Sequence, residues 1–333
     1  MTENARVAVV GVGNNTSALV QGINFYRRTG SLVGIHRPQL AGLSVGDIDV
    51  VAAFALSDGK VGKDLHEAIF APPNNFPRLD AHRPESRRPG SSGGGSPGAE
   101  AGLAPSGVVV QRGLVDSAGI PRMAHAIEGA EVLLYSAPSG RPETARAYAE
   151  AALIAGAAFI NTTSDSVARE PSLLRRFEEA GLPLIGDDLT SQFGTSVLHN
   201  TLLRLLEERG LTLISSYQVN LGGTEDFRNL VETPNTKHQS KVNALGTDKV
   251  QIAPLGYLPH LKSQKIAHLN IEAQGWGETE VSLDVRLKVH DPSGGAGVNI
   301  DLIRLAATAL RDGRGGYPAE AAVHLKSPPG TAV

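Results

Sequence analysis

Apolar positions fall into two textures along the chain. Residues 6–10 form a β-branched run that ends at Gly11-Val12-Gly13, and residues 18–26 (ALVQGINFY) then carry apolar side chains at helical spacing. This order predicts strand, glycine turn and helix. A second apolar run, 48–56 (IDVVAAFAL), precedes a helical pattern over 61–70 that stops at Pro72-Pro73. Short apolar runs at 131–135, 158–161 and 182–185 predict buried strands. Between them, 142–155 and 171–180 each begin at a proline and end before a glycine, as helices do. Short strands alternating with helices predict an α/β fold, a parallel sheet covered on both faces.

Beyond residue 191 the pattern changes. A helix predicted over 196–209 leads into an apolar run at 211–221, and 265–273 and 278–289 alternate with period two. These predict antiparallel strands in a second, α+β domain. Residues 297–311 (GVNIDLIRLAATALR) predict an amphipathic helix, followed by a tail that carries His324-Leu325-Lys326-Ser327-Pro328-Pro329. Between 81 and 107, 16 of 27 residues are Gly, Pro or Ser. So little apolar surface cannot offset the entropy of ordering, and an unstructured insert is expected there, leaving 306 residues to fold.

Composition narrows the chemistry. Among 333 residues there is no cysteine, which excludes a disulfide scaffold, a thiolate metal site and a cysteine nucleophile, and which fits a reducing cytoplasm. Lys plus Arg (31) nearly balance Asp plus Glu (34), so no general charge draws the chain to nucleic acid or an anionic membrane. No run approaches the ~18 apolar residues of a membrane span. A soluble, cytoplasmic protein is expected, and any anionic ligand must be held by a local cluster. The ten histidines show no H-E-x-x-H spacing. His82 falls in the insert, while His199, His290 and His324 read as packing or surface residues, so no metal site is expected. The nucleophile elbow G-x-S-x-G is absent too.

Four groups of residues carry candidate chemistry. Gly11-x-Gly13 stands between a strand and a helix, where glycines let a backbone approach a pyrophosphate at a helix N-terminus, and Asn14 and Asn15 could add amide donors. Thr16 holds the position of the third glycine, so a plain tight turn is the competing reading. Asp58 is the nearby candidate for a ribose-binding acid, and in Ser57-Asp58-Gly59 it could equally be a solvated turn residue. Asp187 and Asp188 follow an apolar strand, where an open α/β sheet places its ligand crevice; capping of the next helix by Asp188 or Ser191 is the alternative. Ser191 and that helix start would also suit a phosphate. Lys237 and Lys241 share a face if helical, and an isolated pair would ordinarily lie solvated. With Asn220, Asp226, Lys265 and Lys326 in company, they point instead to a phosphorylated substrate or to oxyanion stabilisation.

Gly11-Val12-Gly13-Asn14-Asn15, Gly186-Asp187-Asp188-x-x-Ser191-Gln192, Asn220-Leu221-Gly222-Gly223, Lys237-x-x-x-Lys241 and Leu325-Lys326-Ser327-Pro328-Pro329 occur in one order. Together they resemble the myo-inositol-1-phosphate synthase family, particularly its shorter actinobacterial branch. The resemblance implies a Rossmann-like parallel sheet domain over 1–195 with an insert at 77–107, a central α+β catalytic and oligomerisation domain over 196–296, and a segment, 297–333, that returns to the first domain. It further implies a homotetramer, NAD as cofactor and a hexose 6-phosphate as substrate. In the implied reaction the sugar is oxidised at C5, deprotonated at C6, closed by aldol addition to C1 and reduced again. Lys237, Lys241, Lys265 and Lys326 match the substrate lysines, with Asp188 and Asp291 as acidic partners. Ser191 matches a phosphate ligand, and Asn220 and Asp226 line the same pocket. The implied cofactor set is Gly11, Gly13, Asn14, Asn15, Asp58, Ser136 and Asp188.

This chain departs from the family pattern at several points. Phe54-Ala55-Leu56-Ser57 replaces the acid-bearing F-D-V-D, and Asn161-Thr162-Thr163-Ser164 replaces Asn-Ala-Leu-Pro. Thr190, Thr224 and Ser263 stand where the family has Lys, Asn and Asp. Anion handling is thus retained while sugar recognition changes. Two enzyme readings follow, inositol-phosphate synthesis from glucose 6-phosphate and a sibling reaction on fructose 6-phosphate that gives a five-membered cyclitol phosphate for a carbocyclic nucleoside. A catalytically inactive NAD sensor or assembly subunit is the reading of another class, and the retained lysines argue against it.

Overall fold

The computed structural model describes residues 3–79, 103–232, 249–252 and 256–331. Among these, six strands build one sheet: β1 (Ala5–Val10), β2 (Ile48–Ala55), β3 (Val110–Arg112), β4 (Val132–Tyr135), β5 (Ala158–Asn161) and β6 (Leu184–Ile185). They pair in parallel in the order β3-β2-β1-β4-β5-β6. Every residue of β4 and β5 is buried, because helices cover both faces. Val7 and Val9 pack with Leu19 and Ile23 of α1 (Asn14–Thr29) and with Leu302 and Ile303 of α8 (Asp291–Arg311). Ala8, one residue out of phase, joins the opposite layer with Met123 of α3 (Ile120–Ala126) and Tyr148 of α4 (Pro142–Ala155). The strand order reverses direction between β1 and β4, which opens a crevice at their carboxyl ends. This is the Rossmann-like α/β class read from the sequence.

A second sheet takes the order β11-β10-β7-β8 and comprises β7 (Thr212–Gly222), β8 (Val250–Ile252), β10 (Gln264–Gln274) and β11 (Glu280–His290), with β9 (Gly256–Tyr257) beside β7. Alternate residues of its central strands, Gln218 and Asn220 of β7 and Ala267, Leu269 and Ile271 of β10, are buried. The helices α6 (Thr195–Glu208) and α7 (Glu225–Glu232) flank it. Among the described residues, no helix is long and apolar enough to cross a membrane.

Three differences from the sequence reading have local causes. The helix predicted over 61–70 is only α2 (Leu65–Ala68), because Asp64 caps it by accepting the His66 N–H at 2.8 Å. The same carboxylate accepts from Ser106 Oγ and from the Gly107 N–H, each at 2.9 Å, while Leu103 and Leu79 pack on the core. Leu79 also donates its N–H to Gln21 at 3.0 Å. The stretches 77–79 and 103–107 of the expected insert are therefore tied to the fold, and residues 80–102, His82 included, lie outside the described residues. Helix α8 starts at Asp291 instead of 297, even though Gly294, Gly295 and Gly297 fall in its first turns. Gly295 makes the closest approach there: a Cβ would meet Asn15 Nδ2 at 2.4 Å, so a larger residue would displace the Asn15 side chain at the start of α1.

The tail closes the fold. Asp187 and Ser327 exchange backbone hydrogen bonds at 2.9 and 3.0 Å, and the Thr190 N–H donates to the His324 carbonyl at 2.8 Å. Fully buried Asp187 accepts from Asn161 Nδ2 (2.8 Å), the Val167 and Ala168 N–H groups (both 3.0 Å) and Arg169 Nε (3.2 Å). It thereby knits β5, the loop after it and β6 into one rim. Asp187→Ala should lower the thermal midpoint sharply, since removing one partner from a buried charged network costs about 3–5 kcal/mol. An unchanged midpoint in calorimetry would show that this network does not hold the rim.

Candidate active site

The carboxyl ends of β1 and β4 open into a cleft of about 620 Å³ that runs to the second sheet. Gly11 adopts φ +93°, and a Cβ there would meet the Ser136 carbonyl at 2.5 Å, so the glycine turn can cross β4 only without a side chain. Gly13 is the N-cap of α1 with no side-chain cap, and a Cβ on it would touch nothing within 4 Å. No acidic residue occupies the first turn of α1, so the positive end of that helix faces the cleft uncompensated. Thr16, in place of the third glycine, donates from Oγ1 to the Gly11 carbonyl at 2.5 Å and ties the turn to its helix.

Two ammonium–carboxylate pairs stand further along the cleft. Lys326 Nζ donates to Asp188 Oδ1 at 2.9 Å, and the Lys326 N–H donates to the Asp188 carbonyl at 2.7 Å. Asp188 holds φ +57°, which turns its carboxylate away from the Asp187 network and toward the tail. Lys265, on β10, donates to Asp291 Oδ1 at 3.3 Å and lies 5.9 Å from the Phe227 ring centroid. The capping alternative for Asp188 and Ser191 fails, because the N-cap of α6 is Gly194 without a side-chain cap. Buried Asn220 accepts from Thr195 Oγ1 at 2.8 Å and donates to Gln218 Oε1 at 3.1 Å.

The cleft brings together Gly11, Gly13, Asn14, Asn15, Ser136, Asp188, Ser191, Asn220, Asp226, Lys265, Asp291 and Lys326. Asp58 is not among its lining residues. Its exposed carboxylate pairs with Arg112, which corresponds to the solvated-turn alternative, and Ser57 is the polar group at the end of β2 that does line the cleft. Lys237 and Lys241 lie outside the described residues. Asn14 and Asn15 face the cleft, but their amides are engaged elsewhere. The Asn14 oxygen accepts from the Asn75 and Phe76 N–H groups at 2.8 and 2.9 Å, and the Asn15 oxygen accepts from Asn299 at 2.7 Å. Of the substituted positions, Ser57, Thr162, Thr163, Thr190 and buried Thr224 are among those that line the cleft. Ser263 sits behind it, with Oγ 2.8 Å from His290 Nδ1, and its carbonyl accepts the Asp291 N–H at 3.2 Å.

Lys60 and Gln218 are among the cleft residues not singled out from the sequence. Buried Lys60 donates to the Val12 carbonyl at 2.6 Å and to Asn74 at 2.7 Å, and burial pulls its ammonium down to about 8. A lysine directly after Ser-Asp-Gly carries no motif of its own, and the contact with the glycine turn appears only in three dimensions. Gln218 presents a buried Nε2 without a hydrogen-bond partner to the same cleft. Buried His199 lies 2.7 Å from Ser216 Oγ and burial lowers its imidazole to about 4, in keeping with a packing role.

A sequence profile of the family described as myo-inositol-1-phosphate synthase matches residues 194–292. The chain is 34% identical over 366 residues to the inositol-3-phosphate synthase of Mycolicibacterium smegmatis, an alignment that covers 99% of this chain and 95% of that one. It is likewise 34% identical over 355 residues to the inositol-3-phosphate synthase of Mycobacterium tuberculosis, covering 97% and 91%. The crystal structure of Ari2 superimposes with a TM-score of 0.84 at 48% identity, covering 99% of this chain and 94% of that one. Inositol-3-phosphate synthase from Caenorhabditis elegans shares the fold, with a TM-score of 0.74 at 17% identity over 100% of this chain and 83% of that one. These relationships run through both sheets and the closing tail, and the chain belongs to the myo-inositol-1-phosphate synthase family, enzymes of the intramolecular lyase or isomerase type.

Proposed function

We propose that the protein cyclises a hexose 6-phosphate to a cyclitol phosphate, using NAD that is regenerated in every turnover. The observation that carries this reading is the convergence of two lysine–carboxylate pairs and a glycine turn on one cleft. The residues fit a dinucleotide. Gly11 and Gly13 leave backbone access to the start of α1, whose uncompensated positive end suits a pyrophosphate. Lys60 adds an ammonium behind the turn, Ser136 lines the opposite wall, and Ser57 takes the place of the usual ribose-binding acid. When bound, NAD supplies the hydride acceptor and donor for C5.

The remaining chemistry belongs to the chain. Oxidation at C5 acidifies the C6 protons, and the enolate that forms on their loss places negative charge on the C5 oxygen. Attack by C6 on the carbonyl carbon moves that charge to a new alkoxide. Lys326 and Lys265 offer one ammonium for each oxygen, in a cleft where fixed charges act more strongly than in water. Asp188 and Asp291 orient the two lysines, and Asp188 faces the nicotinamide side. Ser191 and the start of α6 hold the phosphate, with Asn220 and Asp226 along the sugar. Lys237 and Lys241 complete the lysine set. The enzyme works in the cytoplasm as a homotetramer, with the division at residues 195 and 296 separating cofactor domain, catalytic domain and returning tail. Exposed Val281 and Leu283 share one face of the second sheet with Ala273 and Ile271 and offer apolar surface for assembly.

A ketose substrate is the second reading. Thr190 and Thr224, at positions of a family Lys and Asn, both line the cleft, so its polar lining departs from the family pattern next to the retained lysines. Attack of C6 on a C2 ketone would close a five-membered ring.

Separate incubation with glucose 6-phosphate and fructose 6-phosphate should give a phosphorylated carbocycle from one of them by NMR; no carbocycle from either would refute the cyclisation. Lys326→Met and Lys265→Met should each reduce kcat by ~10²-fold or more while NAD binding persists. Near-normal turnover would place the chemistry elsewhere. Because the Lys60 ammonium is charged below its value of about 8 and neutral above it, NAD affinity should fall as pH rises from about 7 to about 9. Calorimetric titration of Lys60→Met should show that slope flattened, and an unchanged slope would remove Lys60 from the cofactor site.

A further inference from the structure

His324 reads from the sequence as a packing residue, and no histidine in the chain has a ligand partner at close spacing. The fold nevertheless brings His324 beside His36, from the loop between α1 and β2, and Asp301, from the middle of α8. His36 Nδ1 lies 2.9 Å from Asp301 Oδ2, and His324 Nε2 lies 3.6 Å from the same oxygen. One ligand atom from each residue falls within 4.8 Å of the other two. The two rings meet edge to face with centroids 5.7 Å apart, so both imidazoles converge on the carboxylate.

Three further observations separate this cluster from an ordinary ion pair. The His324 side chain is 6% exposed, and its buried Nε2 has no hydrogen-bond partner although it points toward Asp301. A buried ring nitrogen ordinarily finds a partner, and the group facing this one is the Asp301 carboxylate at 3.6 Å. Asp301 Oδ1 accepts from Arg304 Nη2 at 2.5 Å, which fixes the carboxylate and leaves Oδ2 as the oxygen facing both histidines. Arg304 also donates to the carbonyls of Arg37 (2.8 Å) and Leu43 (3.0 Å), so the loop that carries His36 is anchored to the same helix. This is the outer support that ligand side chains need. His36 is half exposed and gives an ion a route from solvent.

We propose that His36, Asp301 and His324 form a structural site for a divalent first-row transition ion, distinct from the catalytic cleft. Two imidazoles and one carboxylate are the donor set that Zn²⁺ and its neighbours take, with a further position open to water on the His36 side. None of the three residues lines the cleft. Zn–N and Zn–O distances of about 2.0–2.2 Å require the ligand atoms to draw somewhat closer, and the exposed His36 side chain has room to do so. The ion would pin the loop before β2 and the closing tail to α8. Two residues past His324, Lys326 pairs with Asp188, so the same clamp would hold the segment that presents a cleft lysine.

The test uses tag-free full-length protein, dialysed against a chelator and then titrated with Zn²⁺ and, for its visible absorption, Co²⁺. One ion per chain is expected, with a Zn²⁺-dependent rise in the thermal midpoint. His324→Ala and His36→Ala should each weaken binding by ~10²-fold or more and abolish that rise, since loss of even an outer partner lowers affinity up to about this much. Midpoints of both variants without metal establish that they fold, and the exposed His36 position keeps the test available should His324→Ala fail to fold. Absence of stoichiometric binding, or binding of equal strength in a folded variant, would overturn the proposal.

Discussion

The ion pair between Lys326 and Asp188 is the contact on which the cleft depends. An ammonium partly withdrawn from water needs a fixed counter-charge, and a buried carboxylate needs donors. Here each satisfies the other at 2.9 Å, although one comes from the loop after β6 and the other from the closing tail. Backbone bonds on both sides make the pairing part of the fold: Lys326 to the Asp188 carbonyl, Asp187 with Ser327, and Thr190 to the His324 carbonyl. The parallel sheet therefore has no finished cleft until the last segment of the chain has returned to it.

Asp187 and Asp188 show how adjacent identical side chains divide the work. Asp187 turns inward, collects donors from Asn161, Val167, Ala168 and Arg169, and holds the rim in shape. Asp188, held at a positive φ, turns outward to its lysine. A similar division appears in the second pair, where the Ser263 carbonyl holds the backbone of Asp291 while the Asp291 carboxylate takes Lys265. A chain with a net charge of only -3 can thus place individual ammonium groups in the cleft, each held by a carboxylate, without a basic surface.

Much of this was legible in the sequence because it is local. Alternating apolar strands and proline-started helices announced the parallel sheet, and Gly11-x-Gly13 between strand and helix marked its crevice. Lys265, Lys326, Asp188 and Asp291, singled out from the sequence, all reach that crevice. What stayed hidden depends on contacts between distant segments. Asp58 resembled a ribose acid by position, yet its side chain turns to Arg112 on β3, a pairing set by strand order. Lys60 carries no motif and gains its place only because the turn at Val12 packs over it. The early start of α8 was obscured by glycines that weaken a helix in isolation, and these face Ser191, Asn15 and Gln192 at close range. His36 and His324 could not be paired by spacing, since the tail must first fold back.

The central claim is that one cleft both oxidises and re-reduces the same sugar, so that its lysines act on a transient ketone. Deuterium placed at C5 of whichever hexose 6-phosphate is turned over tests this most directly, with product isolated and its label located by NMR. Internal return of the hydride predicts deuterium retained at C5 and no NADH in proportion to product. Loss of the label to water, or NADH formed one for one with product, would contradict it.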